Sequence, residues 1–186
     1  MSLVFSKNKT SEFGYDKLAV DVFFNQVQNL YDTNINAIDV LKIINTTFPL
    51  VKIGYYTREV DLAVDKLVYA ILQYRKDLAY ESGQKDIWQK EYSRSVYDLE
   101  EVLNLDKGKL FSHGAKKQLS YKKRPVDKFA KKIKRYFFES GNKISVDDIN
   151  KIAFPITKSG RGYDEKGVNI FLNRVKILLM VPADNY

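Results

Sequence analysis

Residue types that commonly carry out catalysis are scarce in this chain of 186 residues. It has no Cys, and its one His, His113, lies in a Ser-His-Gly segment among lysines. Thiolate metal sites, disulfides, cysteine nucleophiles and His-dependent triads are therefore not expected. Glu100-Glu101 and Asp147-Asp148 are adjacent pairs, and adjacent side chains of a helix do not face each other. We expect a protein that is not an enzyme and that uses no metal, no cofactor and no small-molecule substrate.

Positive charge is concentrated in one segment of the chain. The net charge is +8, from 31 basic and 23 acidic residues. Lys107 to Arg135 contains twelve basic residues and one acidic residue, Asp127, so the remainder of the chain is slightly acidic. Such a local excess favours an anionic partner, which is a phospholipid surface, nucleic acid or an acidic protein face. The alternative is a solvated helix face with no partner.

The sequence repeats itself at a spacing of 106 residues. Phe5-Ser6 aligns with Phe111-Ser112, and Phe48-Pro49 aligns with Phe154-Pro155. After the second match the later half gains two residues, so that Gly54-Tyr55 aligns with Gly162-Tyr163. The repetition predicts two equivalent regions, 1–80 and 111–186, joined by a connecting helix within 81–110.

Each region contains a smaller motif twice: a Phe, a loop, Gly-Tyr, and a helix that opens with Val-Asp or Val-Asn. We call these copies one to four, beginning at Phe5, Phe48, Phe111 and Phe154. Glycine before tyrosine suggests a turn with positive φ, although Ser120 takes the place of glycine in copy three. The predicted motif turns are formed by Gly14, Tyr15, Asp16, Gly54, Tyr55, Tyr121, Gly162, Tyr163 and Asp164.

Apolar residues after each Tyr recur at helical spacing, as at Val20, Phe23, Phe24 and Val27. Asp16 and Asp164 stand where N-caps are needed, Thr57 offers a further cap, and Pro125 suits a first helical turn. Shorter helices are expected at 36–47 and 144–153, and a longer one at 85–104. No alternating strand pattern is found. The prediction is an all-α fold of duplicated helix–loop–helix modules packed as a pseudo-symmetric bundle.

Residues 161–172 read Arg-Gly-Tyr-Asp-Glu-Lys-Gly-Val-Asn-Ile-Phe-Leu, which resembles the DivIVA-domain signature Arg-Gly-Tyr-Asp-x-x-x-Val-Asp-x-Phe-Leu. Copy one is similar to it as well. In that family the signature opens a coiled-coil helix, the preceding turn contacts the membrane through an apolar and a basic residue, and the proteins are scaffolds of bacterial division septa and poles. No long heptad run follows any copy here, so helices packed on one another are expected instead of a long coiled coil.

The loops before the Gly-Tyr positions place apolar residues beside cations. An apolar side chain buried at a headgroup layer gains ~1.5–3 kcal/mol, and a nearby cation adds ~1 kcal/mol on an anionic leaflet. Several such loops would bind a membrane reversibly. The candidate membrane- or partner-binding residues are Phe13, Lys52, Ile53, Leu119, Lys122, Lys123, Arg124 and Arg161.

The sequence thus predicts an interaction or scaffold protein, and its resemblance to the DivIVA domain implies a role in cell division. We expect a protein partner or self-association, with an anionic membrane surface as a further partner. The alternative is a basic helical nucleic-acid-binding protein, in which Tyr121 and Tyr136 stack on bases. The start of the chain lacks the order of a signal peptide, so we expect a cytoplasmic location, peripheral at the membrane or septum.

Overall fold

A computed structural model describes residues 5–7, 12–115, 117–139, 143–158 and 160–183. The described residues are mainly helical, with seven α-helices, one 3-10 turn and five short strands. The chain divides into two compact units, Met1–Leu78 and Ala79–Tyr186. The mainly helical class agrees with the prediction.

The first unit contains two short strands among its helices. In chain order the elements are β1 (Phe13–Tyr15), α1 (Lys17–Asn34), a 3-10 turn (Ile35–Ala37), α2 (Val40–Ile44), β2 (Leu50–Lys52) and α3 (Thr57–Glu81), which begins in this unit. Strands β1 and β2 are antiparallel, with Gly14 opposite Val51 and Tyr15 opposite Leu50. We call them the first strand pair. Phe5, Val20 and Val60 form a buried cluster, and Tyr15 of the strand pair packs against it.

The second unit adds a helix before a similar arrangement. Its elements are α4 (Lys85–Leu103), β3 (Ser120–Tyr121), α5 (Lys123–Phe138), α6 (Val146–Asn150), β4 (Ile156–Thr157), β5 (Tyr163–Asp164) and α7 (Glu165–Met180). Strand β3 is central, between β4 and β5, and both neighbours are antiparallel to it. We call β3 and β4 the second strand pair. One continuous core joins α4 and α5 to α7 through residues such as Val96, Ile133 and Val175.

Backbone contacts in the two units follow the spacing of the sequence repeat. Gly14 pairs with Val51, and Ser120 pairs with Thr157, each partner lying 106 residues further along the chain. The N–H of Asp16 donates to Pro49 O at 2.8 Å. The N–H of Lys122 donates to Pro155 O at 2.8 Å. These aligned positions therefore make the same backbone contacts in each unit.

The expectation that the chain contains no strands was wrong. Each Gly-Tyr segment is extended and pairs with another segment of its unit, as in the reciprocal bonds of Tyr15 N to Tyr55 O at 2.9 Å and Tyr55 N to Tyr15 O at 2.8 Å. These backbone groups lie in a packed region, where they must be hydrogen-bonded. Two or three residues are too few for alternation to be visible in the sequence.

The reason given for the glycines also needs correction. Gly54 and Gly162 do not have the positive φ of a turn, and the nearby positive φ values belong to Ile53 and Gly160. A Cβ on Gly54 would lie 2.5 Å from the carbonyl carbon and oxygen of Gly14. A Cβ on Gly162 would lie 2.5 Å from Ser120 Oγ. Glycine is therefore required because two segments of the chain approach closely there.

The predicted helix starts are mostly confirmed. Asp16 accepts a hydrogen bond from Ala19 N at 2.8 Å, and Asp164 accepts one from Gly167 N at 2.9 Å, so both are N-caps. Pro125 lies in the first turn of α5. Thr57 is the first residue of α3 rather than its cap. The short helices predicted at 36–47 and 144–153 are each reduced to five residues, α2 and α6.

Candidate interaction site

In the first unit the tyrosine of each copy packs against the other copy. The Tyr15 ring packs on Phe48 of copy two at 5.2 Å between centroids. The Tyr55 ring packs on Phe5 of copy one, also at 5.2 Å, and its hydroxyl donates to Asp21 at 3.3 Å. Burial, followed by the charge of Asp61, raises the pKa of Tyr15 to about 12. Each tyrosine thus fastens its own copy to the other.

In the second unit the tyrosines of copies three and four also pack against each other's copy. Tyr121 packs on Phe154 at 5.4 Å, and Tyr163 packs on Phe111 at 5.3 Å. The Tyr121 hydroxyl donates to Asn169 at 3.3 Å, where Asn replaces the Asp of the other copies. Burial is the main cause that raises the pKa of Tyr121. The tyrosine of each copy therefore has a structural role, because it packs against the other copy of its unit.

Tyr163 is the most deeply buried member of this group. Its hydroxyl donates to Asp127 Oδ1 at 2.7 Å and accepts from Leu110 N at 3.2 Å. Burial and the bond to Asp127 raise the pKa of Tyr163 well above its usual range. The Lys123 ammonium lies 5.0 Å from the centre of the Tyr163 ring and donates to Gly108 O at 2.6 Å. Lys123 is thus engaged within the second unit.

The first strand pair exposes apolar side chains beside a lysine. Phe13 lies opposite Lys52, and Tyr15 lies opposite Leu50, so the four residues project from one face of the pair. Phe13 and Leu50 are each 59% exposed. On this face the Tyr15 ring packs on Phe48. The other three side chains, Phe13, Leu50 and Lys52, are exposed.

Ile53 follows this pair with an unusual backbone. Its φ is 60°, a left-handed conformation that a β-branched residue rarely adopts, and its side chain is exposed. Its N–H donates to Glu12 O at 3.3 Å, which ties the turn to the residue before Phe13. The structure therefore holds an apolar side chain at the surface in a strained turn.

The second strand pair has the same chemistry. Ile156 lies opposite Tyr121 and is 51% exposed. Leu119, directly before β3, is 46% exposed. Lys122, Lys158 and Arg161 are exposed near these two apolar residues in the chain. Arg124 is exposed in the first turn of α5.

Leu50 was missed among the residues singled out from the sequence. The sequence predicts that the apolar and basic residues beside the Gly-Tyr positions lie in loops. The segment Leu50-Val51-Lys52 follows Pro49 and is extended, so its first and third side chains share a face and the middle one, Val51, does not. The Pro and the β-branched Val were the available signals of an extended segment.

Other kinds of site are not found in the part of the chain that the structure describes. No group of three or more His, Cys, Asp or Glu residues there is placed to hold a metal ion. No described helix has both the length and the apolar character needed to cross a membrane. The chain matches no family model, no curated protein and no solved structure.

Proposed function

We propose that this chain is a non-enzymatic scaffold protein that associates peripherally with an anionic membrane surface, as the resemblance of its motif to the DivIVA cell-division domain suggests. In this proposal a two-copy block was duplicated, and the two units are pseudo-symmetric bundles. The equal spacing of backbone pairs in the units supports the duplication: Gly14–Val51 and Ser120–Thr157 differ by one constant offset.

The observation that carries the membrane proposal is the exposed apolar pair on each strand pair. Phe13 and Leu50 in one unit, and Leu119 and Ile156 in the other, are large apolar residues left at the surface beside cations. Leu50 and Ile156 lie opposite the half-buried Tyr15 and Tyr121, which hold the strand pairs in place by packing on Phe48 and Phe154. An apolar group with an adjacent cation matches a headgroup layer, where the first enters the acyl boundary and the second meets phosphate.

The expected strength is moderate and reversible. Burying one such side chain contributes ~1.5–3 kcal/mol, and one cation at an anionic leaflet contributes ~1 kcal/mol. A single strand pair therefore offsets only part of the ~4–15 kcal/mol lost on immobilisation. Binding then needs both apolar and charged contacts, which predicts a preference for anionic over neutral vesicles.

Co-sedimentation of the full chain with vesicles tests this. The wild type should bind vesicles containing phosphatidylglycerol and should not bind vesicles of phosphatidylcholine alone. The double variant Leu50→Ser, Ile156→Ser should lose affinity on the order of a hundredfold or more, because two apolar insertions are removed. Circular dichroism should show unchanged helicity, since both side chains are exposed.

A matched control is available on α4. Ile87 and Tyr97 are 53% and 60% exposed on this helix, close to the exposure of Leu50 and Ile156. The variant Ile87→Ser, Tyr97→Ser should bind vesicles as the wild type does. Equal losses in the two double variants would show that the strand pairs have no special role. No binding by the wild type would remove the membrane proposal.

The rival function is nucleic-acid binding, and the basic segment around α5 is the observation that favours it. A duplex pull-down run beside the vesicle assay separates the two. Salt-sensitive duplex binding without vesicle binding would favour the rival. Exposed Phe13, Leu50, Leu119 and Ile156 have no use on a duplex backbone, which is why the membrane is preferred here.

The cellular part of the proposal has its own test. A fluorescent fusion of the full chain should be enriched at the cell periphery or the division septum. The Leu50→Ser, Ile156→Ser fusion should be uniformly distributed. A uniform signal from the wild type would count against a role at the membrane or the septum.

A further inference from the structure

Helix α5 carries a straight line of cations. Arg124, Lys128, Lys131 and Arg135 follow one another at intervals of four, three and four residues and are all exposed. Residues with this spacing lie on one face of a helix. We call them the α5 stripe. At 1.5 Å per residue the stripe is about 16 Å long.

The stripe lies opposite the face that α5 buries. Val126, Ala130 and Ile133 point into the core of the second unit and are nearly inaccessible. The apolar face of α5 is therefore already used, and the helix cannot roll over to place that face in a bilayer as an isolated amphipathic helix does. What α5 offers to a partner is charge.

Most of this charge is not neutralised within the described residues. No described carboxylate lies within ion-pair distance of Arg124, Lys128 or Lys131. Arg135 meets Glu139 at 3.8 Å in an exposed pair, which contributes little. Asp127, the one acid of the helix, is turned to Tyr163 and Gly108 N. Among the residues that the structure describes, the stripe therefore keeps most of its positive charge uncompensated.

The first unit does not have this feature. The positions 106 residues before the α5 stripe are Leu18, Val22, Asn25 and Asn29 on α1, all exposed. Leu18 is 72% exposed. The helix–strand framework is alike in the two units, so the cations of α5 are not a requirement of the framework. They are a property of the second unit alone.

We propose that the α5 stripe is an electrostatic docking surface for the phosphate groups of an anionic lipid bilayer, which makes the second unit the salt-sensitive anchor of the protein. This inference rests on the proposed membrane association and assigns it a second, separate contact. The stripe attracts the surface, and the exposed apolar residues of the strand pairs insert.

The lipid surface is favoured over a duplex by what adjoins the stripe. Lys122, the residue before α5, donates its N–H to Pro155 O at 2.8 Å, and Pro155 precedes the exposed Ile156. The backbone at the start of α5 is thus hydrogen-bonded to the residue that precedes an exposed apolar side chain, so the stripe begins close to the apolar pair. The stripe has no Asn, Gln, Ser or Thr that could read base edges.

The test is vesicle binding by the full-length triple variant Arg124→Gln, Lys128→Gln, Lys131→Gln. The charge-matched control is Lys90→Gln, Arg94→Gln, Lys166→Gln, in which three exposed cations of the same unit are lost. A basic residue at an anionic leaflet is worth roughly fivefold in affinity. The stripe variant should therefore bind phosphatidylglycerol vesicles on the order of a hundredfold more weakly, and the control should lose less than tenfold.

Salt supplies a second readout. Binding by the wild type should weaken steeply as salt rises, and binding by the stripe variant should depend on salt much less. If the stripe variant binds as the wild type does, while Leu50→Ser, Ile156→Ser abolishes binding, the stripe inference is wrong and the proposed function stands. If the wild type binds duplex DNA through the stripe and ignores vesicles, both are wrong.

Discussion

At the scale of single residues, the motif is explained by the close approach of backbone segments at its glycines and by tyrosines that pack against the other copy. Gly54 is needed because its Cα faces the Gly14 carbonyl, and Tyr15 and Tyr55 each contact the other copy. The sequence identified these positions through repetition. It could not supply the reason, because the approach of Gly54 to Gly14 is a contact between segments 40 residues apart.

The first prediction concerns Gly54→Ala. The new Cβ would meet Gly14 and the Tyr15 carbonyl oxygen at 2.5 Å, so backbone must shift and the free energy of unfolding should fall by about 1–3 kcal/mol. Gly167→Ala is the control, since its Cβ would have only Asp164 Oδ2 near it, at 3.8 Å, within α7. The free energy of unfolding of Gly167→Ala should rise by about 0.5–1 kcal/mol. Urea denaturation measures both, and a neutral Gly54→Ala would refute the close approach.

The second prediction compares two equivalent tyrosines. Tyr163→Phe removes the hydroxyl that bonds Leu110 N and Asp127 Oδ1, while Asp127 Oδ2 keeps its bond from Gly108 N, and this loss should cost about 1–3 kcal/mol of unfolding free energy. Tyr55→Phe removes only an exposed 3.3 Å bond to Asp21 and should cost about 0.5 kcal/mol. Guanidinium denaturation of the two variants provides the comparison. A larger effect in Tyr55→Phe would contradict the assigned roles.

At the scale of elements, sequence periodicity located the long helices well and the strands not at all. Asp16 and Asp164 marked helix starts through local hydrogen bonds, which depend on neighbouring residues only. The strand pairs depend on partners distant in the chain, such as Leu50 for Tyr15. A pattern of two or three residues cannot reveal such a partner, and this is why the exposed Leu50 was missed.

Alkaline pH gives a prediction for the first strand pair. The folded-state pKa of Tyr15 is raised to about 12 by burial and by Asp61, whereas an unfolded tyrosine ionises near 10. The folded state therefore favours the protonated form. The contribution of the protonated Tyr15 to stability is fully present below pH ~10 and is lost as the pH rises through ~12.

Denaturation midpoints of the wild type and Tyr15→Phe, followed from about pH 9 to about pH 12, test this. The stability of the wild type relative to the variant should decrease over that range. The tyrosinate absorbance of the wild type should also show one more late-titrating group than that of the variant. An advantage of the wild type that is constant with pH would contradict the raised pKa.

At the scale of the whole molecule, two units with matching local contacts carry different surfaces. Both expose an apolar pair on a strand pair, but only the second carries the α5 stripe. The sequence showed where basic residues concentrate, because charge can be counted. Which of them face solvent followed only from the helix position, and Lys123 proved to be engaged with Gly108 and Tyr163.

The central claim is that the strand pairs enter an anionic bilayer, and labelling at a single site tests it most directly. Because the chain has no Cys, Leu50→Cys or Ile156→Cys can carry one polarity-sensitive fluorophore, with Tyr97→Cys on α4 as the control. We predict a blue shift at positions 50 and 156 when phosphatidylglycerol vesicles are added, and none at position 97. Unchanged emission at 50 and 156, or an equal shift at 97, would contradict the account.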